Sequence, residues 1–223
     1  MDTIELLARF AYKPSQLNLC GPQDANLKLY RYLTKRDNLD EVKILIPGFQ
    51  TMYPYLHLIS EKMQMGILDY SVAEAYWLGN TLLDRFTARD MEKFAISKGL
   101  PRNIKLREGV VPHHSFNVLY LNKGVPIENV NKCLVSYGKV KEIYINELVV
   151  TQKPLVYHNK EYGIGESIEK KVSFDRKLLP NLNLGDIIAI HWDFAVMKLS
   201  REQLYNLEKY TLRNIAAVNS ERR

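Results

Sequence analysis

Three short segments of this chain hold the side chains best suited to chemistry. The middle one, VPHHSFNVLY at 111–120, sets His113 and His114 side by side behind Pro112. The late one, IAIHWDF at 188–194, places His191 two residues before Asp193. The early one, LCGPQD at 19–24, puts Cys20 four residues before Asp24. An imidazole titrates near neutrality, so it can move protons, and in its neutral form it can bind a metal. A carboxylate beside it can accept its ring proton and fix one tautomer, or join it as a ligand of a divalent cation. A thiol close to a helix N-terminus forms its anion more readily.

The spacing constrains how these groups can combine. In an extended 113–120, His113, Ser115 and Asn117 share one face and His114, Phe116, Val118 and Tyr120 the other. Both histidines then reach one metal only through a bend at Pro112. On a late strand His191 and Asp193 share a face, with Trp192 opposite. Two schemes follow. In one, His191 is a general base oriented by Asp193, the pair being the catalytic candidates. In the other, His113, His114, His191 and Asp193 supply ligands to a divalent metal. Cys20 and Asp24 are further candidates, the thiol lying near a helix that Asp24 caps. Ordinary packing competes with each. Cys20 can be a small buried cysteine, Asp193 can neutralise a charged histidine, and one of the middle pair can be a satisfied core residue. His57 sits in an apolar helix, His158 beside Asn159 in a turn, and Cys133 in a helical pattern with Val130, Leu134 and Val135; packing or exposure explains these three.

Diagnostic motifs are few. There is no HExxH and no CxxC, Ser115 lacks GxSxG, and no dinucleotide or phosphate-loop signature occurs. YGIGES reads as a turn.

The elements that must position these segments divide into two unlike regions. Helical spacing dominates the first hundred residues. Ile4, Leu7, Ala8, Phe10 and Ala11 form an opening stripe, interrupted at Pro14 and the Cys20–Pro22 turn. Asp24 caps a second helix. EVKILIPGF is a short helix or a buried strand, and helices follow around 51–65, 69–86 and 88–98, the middle one broken near Gly79. Beyond a Gly/Pro connector at 99–110, SFNVLYL predicts a strand and PIENVNKCLVSYG a helix ended by Gly138. KVKEIYINELVV, PLVYH, SIEKKVSF and GDIIAIHW predict strands. REQLYNLEKYTLRNIAAVN is a helix capped by Ser200. The expected class is α+β: a helical domain over 1–104, then an α+β domain over 105–223 with a small mixed or barrel-like β region and a C-terminal helix.

With 223 residues, 46% of them hydrophobic, the chain can bury a substantial core. No segment approaches the roughly 20 apolar residues that span a bilayer, and MDTIELLARF does not read as a secretory signal. A cytoplasmic protein without membrane contact is expected. The net charge of +6 lies entirely beyond residue 100, partly in Arg222 and Arg223. Dispersed bases favour an acidic partner or anionic ligand over nucleic acid.

ARFAYKPSQLNLCGPQD, PHHSF and HWD together resemble the signature elements of an uncharacterised prokaryotic family, over most of the chain's length. Some of its members are encoded near nickel-iron hydrogenases or other metalloenzyme systems. The resemblance implies an auxiliary or maturation role, with a metalloenzyme or its assembly proteins as partners. It matches Cys20 and Asp24, His113 and His114, and His191 and Asp193 to the three elements. Asn117 stands where some versions have a further histidine. The leading expectation is therefore a metalloenzyme-associated factor binding a divalent metal or small ligand. A small-molecule enzyme with a His-Asp acid/base pair and a protein- or RNA-interaction module are the alternatives.

Overall fold

The computed structural model describes residues 1–121 and 125–221. Arg222 and Arg223, part of the basic excess, lie outside the described residues. Six helices occupy the first region: α1 (Thr3–Gln16), α2 (Ala25–Lys35), α3 (Leu39–Leu45), α4 (Tyr53–Met63), α5 (Tyr70–Trp77) and α6 (Ala88–Ser97). Asp2 opens α1 by accepting the Glu5 N–H at 2.8 Å, and the whole expected stripe is buried. Pro14 does not break this helix, which runs on to Gln16. A proline so near the C-terminus forfeits one hydrogen bond, that to the carbonyl four residues back, while its fixed φ remains helical. EVKILIPGF resolves as α3 and a 3₁₀ turn over Ile46–Gly48. Asp24 occupies the cap position of α2 in a left-handed conformation (φ 58°), and its side chain makes no cap hydrogen bond. The capping role expected of it is not observed.

The middle segment also departs from expectation. It is no strand: α7 (His114–Phe116) is a single helical turn, continued as a π-helical turn over Asn117–Leu121. His113 caps that turn by accepting the Ser115 N–H at 3.3 Å, a local side-chain bond that competes with extended pairing. α8 (Ile127–Cys133) ends five residues before Gly138, because Leu134 turns extended and Gly138 is inside a strand.

Five strands close into a barrel: β1 (Ser136–Ile143), β2 (Glu147–Gln152), β5 (Ile168–Ser173), β6 (Ile187–His191) and β7 (Phe194–Lys198), ordered β1-β2-β5-β7-β6. The pairings are antiparallel except a short parallel contact, Ser173 with Phe194, that seals the ring. β3 (Leu155–His158) and β4 (Glu161–Ile164) form a separate hairpin. α9 (Arg201–Ser220) closes the chain, started by a reciprocal Ser200–Gln203 capping box. This is the expected α+β arrangement: N-terminal helices, a small mixed β barrel and a C-terminal helix.

Alternation along β6 sets what faces what. Ile188 and Ile190 point into the barrel with Val140, Val150 and Val172. Ala189 faces the helical core, and His191 shares its side. That core draws on α1, α5, the middle segment and α9 alike. Among the described residues, no helix is long and apolar enough to cross a membrane.

Gly79, just past α5, has φ +83°, and a Cβ there would lie 2.3 Å from the ring of Tyr210 on α9. Gly79→Ala combines a left-handed backbone with overpacking of a buried ring. It is expected to destabilise the fold by about 2–4 kcal/mol, read as a shift in the urea midpoint.

Candidate metal centre

His114, Cys133 and His191 converge. One ligand atom from each lies within 4.8 Å of the other two. The three come from α7, the last residue of α8 and the last residue of β6, and separate contacts hold each in place.

His191 is fixed by a carbonyl of α1. Its Nδ1 lies 2.9 Å from the Phe10 oxygen. Phe10 is four residues before Pro14, so the helix offers that carbonyl no N–H, and the imidazole fills the position. A carbonyl only accepts, so Nδ1 carries the proton and Nε2 keeps its lone pair. Metal-binding histidines are commonly oriented in this way by a backbone carbonyl. Among the described residues, none hydrogen-bonds His191 Nε2.

Cys133 is brought beside it by a clip between α8 and the β6–β7 turn. The Trp192 N–H donates to the Lys132 carbonyl at 2.6 Å. Asp193 adds an ion pair at 3.8 Å to Lys132 and one at 2.5 Å to Lys170. Trp192 and Asp193 are the two central residues of this hairpin, both at φ 54°. Such two-residue turns need left-handed backbone at both positions, which is strained for a bulky tryptophan.

His114 is positioned from α9. Asn214, fully buried, accepts the Val111 N–H at 2.9 Å and donates to the Val111 carbonyl at 3.1 Å and to Ser115 Oγ at 2.9 Å. Ser115 Oγ in turn lies 2.8 Å from His113 Nδ1. His113 is thereby occupied in holding the turn, and His114 projects to the centre, its ring 4.8 Å from Trp77 and 5.1 Å from His191. No described residue hydrogen-bonds His114 Nδ1.

The three donors line a cavity of about 310 Å³ walled by Phe49, Met52, Tyr76, Trp77 and Trp192, with no charged side chain among its described lining residues. Tyr76 Oη and Trp77 Nε1 are also buried with no hydrogen-bond partner among the described residues. Four orphaned polar atoms therefore belong to residues around one apolar chamber, where buried polar groups are normally satisfied. Burial dominates the titration. It pushes His113 down to about 3 and His191 to about 4, against the opposing pull of backbone groups of Trp77, and of Phe10 and Cys133, respectively. His114 is held well below its usual range by burial, then by His191 and His113. Burial, with Cys20 nearby, lifts the Cys133 thiol to about 12. The imidazoles are thus held neutral, the form that binds metal.

The sequence-derived residues distribute unevenly around this centre. His114 and His191 enter the cluster, and Cys20 lines the same cavity. His113 is the cap described above. Asp193 sits in a turn rather than on a strand and faces lysines, so the Phe10 carbonyl orients His191 in the place expected of Asp193. Asp24 is exposed, away from the cavity. Nor does a helix end favour the Cys20 anion: burial raises that thiol. His57 is exposed with Glu61 3.6 Å away, and His158 is exposed on β3. For Cys133 the sequence pattern points only to packing. Its helical spacing carries no trace of a partner that arrives through the Lys132–Trp192 clip.

A family model described as "Family of unknown function (DUF6390)" matches residues 2–223 of the chain. No curated protein and no solved structure matches it.

Two outcomes follow from this geometry. Unfolded histidines titrate near 6.5, so as pH falls below that value the unfolded chain takes up protons that the fold refuses. Stability of the metal-free protein is full above about pH 6.5 and declines as pH drops toward 4. The slope is up to about 1.4 kcal/mol per pH unit for each of the three histidines. Urea titrations between pH 7 and 4.5 measure it, and a flat profile would contradict the neutral assignment. Asn214→Ala leaves the buried Val111 N–H without its acceptor and removes one of two hydrogen bonds each from the Val111 carbonyl and Ser115 Oγ, and is expected to cost about 1–3 kcal/mol in the same assay.

Proposed function

We propose that this chain, which belongs to the DUF6390 family of unknown function, binds a transition-metal cation through His114, Cys133 and His191 and serves as an auxiliary factor for a metalloenzyme. The observation that carries this reading is the convergence of one ligand atom each from His114, Cys133 and His191 within 4.8 Å, with the His191 tautomer set by Phe10 and each imidazole keeping a buried nitrogen that no described residue hydrogen-bonds. Two imidazoles and a sulfur suit zinc, cobalt, nickel or copper. The oxygen-rich sites of magnesium and calcium have no counterpart among the described lining residues.

Among the described residues the site offers three protein ligands, one fewer than a closed structural zinc site, so a bound cation would keep a coordination position open. A bound cation would hold the Cys133 sulfur as thiolate. An exchangeable fourth position is what a protein that takes up and gives away a metal requires. The likeness of the CGPxD, PHHSF and HWD segments to a family sometimes encoded beside nickel-iron hydrogenases supports the same role. The recipient is then a metalloenzyme or one of its assembly proteins.

Untagged protein titrated with cobalt(II), zinc(II) or nickel(II) tests the reading. Wild type is expected to bind one ion per chain, with a thiolate-to-cobalt absorption band. H114Q, C133S and H191Q each lose that ion while retaining the far-ultraviolet spectrum of the wild type. Pro14→Ala returns an N–H to the Phe10 carbonyl, competes with His191 and weakens binding about tenfold or more, as loss of an orienting partner does elsewhere. Full metal content in all three ligand variants would sink the proposal.

A further inference from the structure

Cys20 stands where two cavities meet. Leu19, Cys20 and Thr51 line the inner chamber and also a second recess of about 520 Å³, whose other walls include the exposed Asn18, Gly21, Gly48 and Gln50. The thiol is therefore addressed by the surface on one side and by the His114–Cys133–His191 chamber on the other. Its Sγ is not part of the group of donors within 4.8 Å of one another. The loop carrying it is seated firmly: Gly21 has φ +99°, and a Cβ there would lie 2.4 Å from the ring of Phe49, a wall of the chamber. Burial raises the Cys20 thiol, opposed by the neighbouring Thr51 side chain and Gly21 backbone.

The described residues that line the chamber are mostly apolar and include no charged side chain, a barrier to a cation because removing a charge from water is costly unless something compensates it. Among the described residues that line both recesses, Cys20 alone carries a sulfur. We infer that Cys20 is a relay ligand, binding a soft or borderline cation at the mouth and passing it inward to His114, Cys133 and His191. The inference rests on the metal reading above. In the first step the Cys20 S–H bond breaks, its proton goes to water, and a sulfur–metal bond forms. In the second, the metal's bond to Cys20 breaks as its bond to Cys133 forms. The proton leaving Cys133 goes to the freed Cys20 thiolate, so charge and protons balance without a redox partner. His114 and His191, each with a buried nitrogen that no described residue hydrogen-bonds, line the chamber with Cys133 and provide the inner destination.

Stopped-flow loading of the full metal-free chain with cobalt(II), followed by the thiolate-to-cobalt band, separates the two claims. C20S is expected to reach the final band of the wild type, which also shows that it folds, but about tenfold or more slowly, equivalent to some 1.4 kcal/mol of barrier. Loading of C20S at the wild-type rate overturns the relay. So does a final band reduced by about half, which would make Cys20 a resident ligand instead. C133S and H191Q give no band if the inner site is correct. Cobalt uptake by both at wild-type level would defeat the inner site, and the relay with it.

Discussion

The centre depends on a single carbonyl that α1 leaves free. Pro14 supplies no N–H to Phe10, and His191 donates to that oxygen at 2.9 Å. The contact links the N-terminal helix to the end of β6 across most of the sequence. It fixes which imidazole nitrogen holds the proton and so which one keeps its lone pair. The same proline that shortens the hydrogen-bond ladder of a helix thus creates an acceptor for a side chain from the barrel. The stacked Phe10 and Trp77 rings, 4.8 Å apart, pack this junction between helix and imidazoles.

Two further ties complete the arrangement, and both use backbone. The Lys132 carbonyl takes the Trp192 N–H, which carries Cys133 to the neighbour of Trp192, His191. Asn214 bonds both backbone groups of Val111 and the Ser115 hydroxyl, which anchors the His113–His114 pair to α9. The three donors arrive from unrelated parts of the chain, yet each is one or two residues from a hydrogen bond that spans tertiary structure. Preorganisation of this kind lowers the ordering that a bound ion would otherwise require.

Electrostatically the chamber favours neutral forms. Burial lowers the histidines and raises the thiols, so the ligand set without a cation is uncharged. Charge is kept at the periphery, where Lys132 and Lys170 hold Asp193 on the outer side of the β6–β7 turn. The turn's left-handed Trp192 and Asp193 store local strain. What they hold in return is one indole against the chamber and one carboxylate away from it.

Much of the architecture was legible in residue patterns. The α1 stripe, the Ser200 cap, the break near Gly79 and the β runs after residue 135 follow from local periodicity and turn chemistry, which act over a few residues. The same reading placed His114, His191 and Cys20 among the chemically notable groups. It misjudged the middle segment, where His113, Ser115 and Asn214 bond to one another and override a strand-like pattern. It also misjudged Asp193, because a two-residue turn reverses the chain at the point where alternation was assumed to continue. Cys133 carried no local sign at all. Its role depends on which helix end meets which strand end, and that is set by packing between segments nearly sixty residues apart. Sequence supplied the donors and the proline; only the tertiary structure decided that the freed carbonyl, the two imidazoles and the thiol belong to one chamber, since hydrogen-bond pairing over such distances has no periodicity to read.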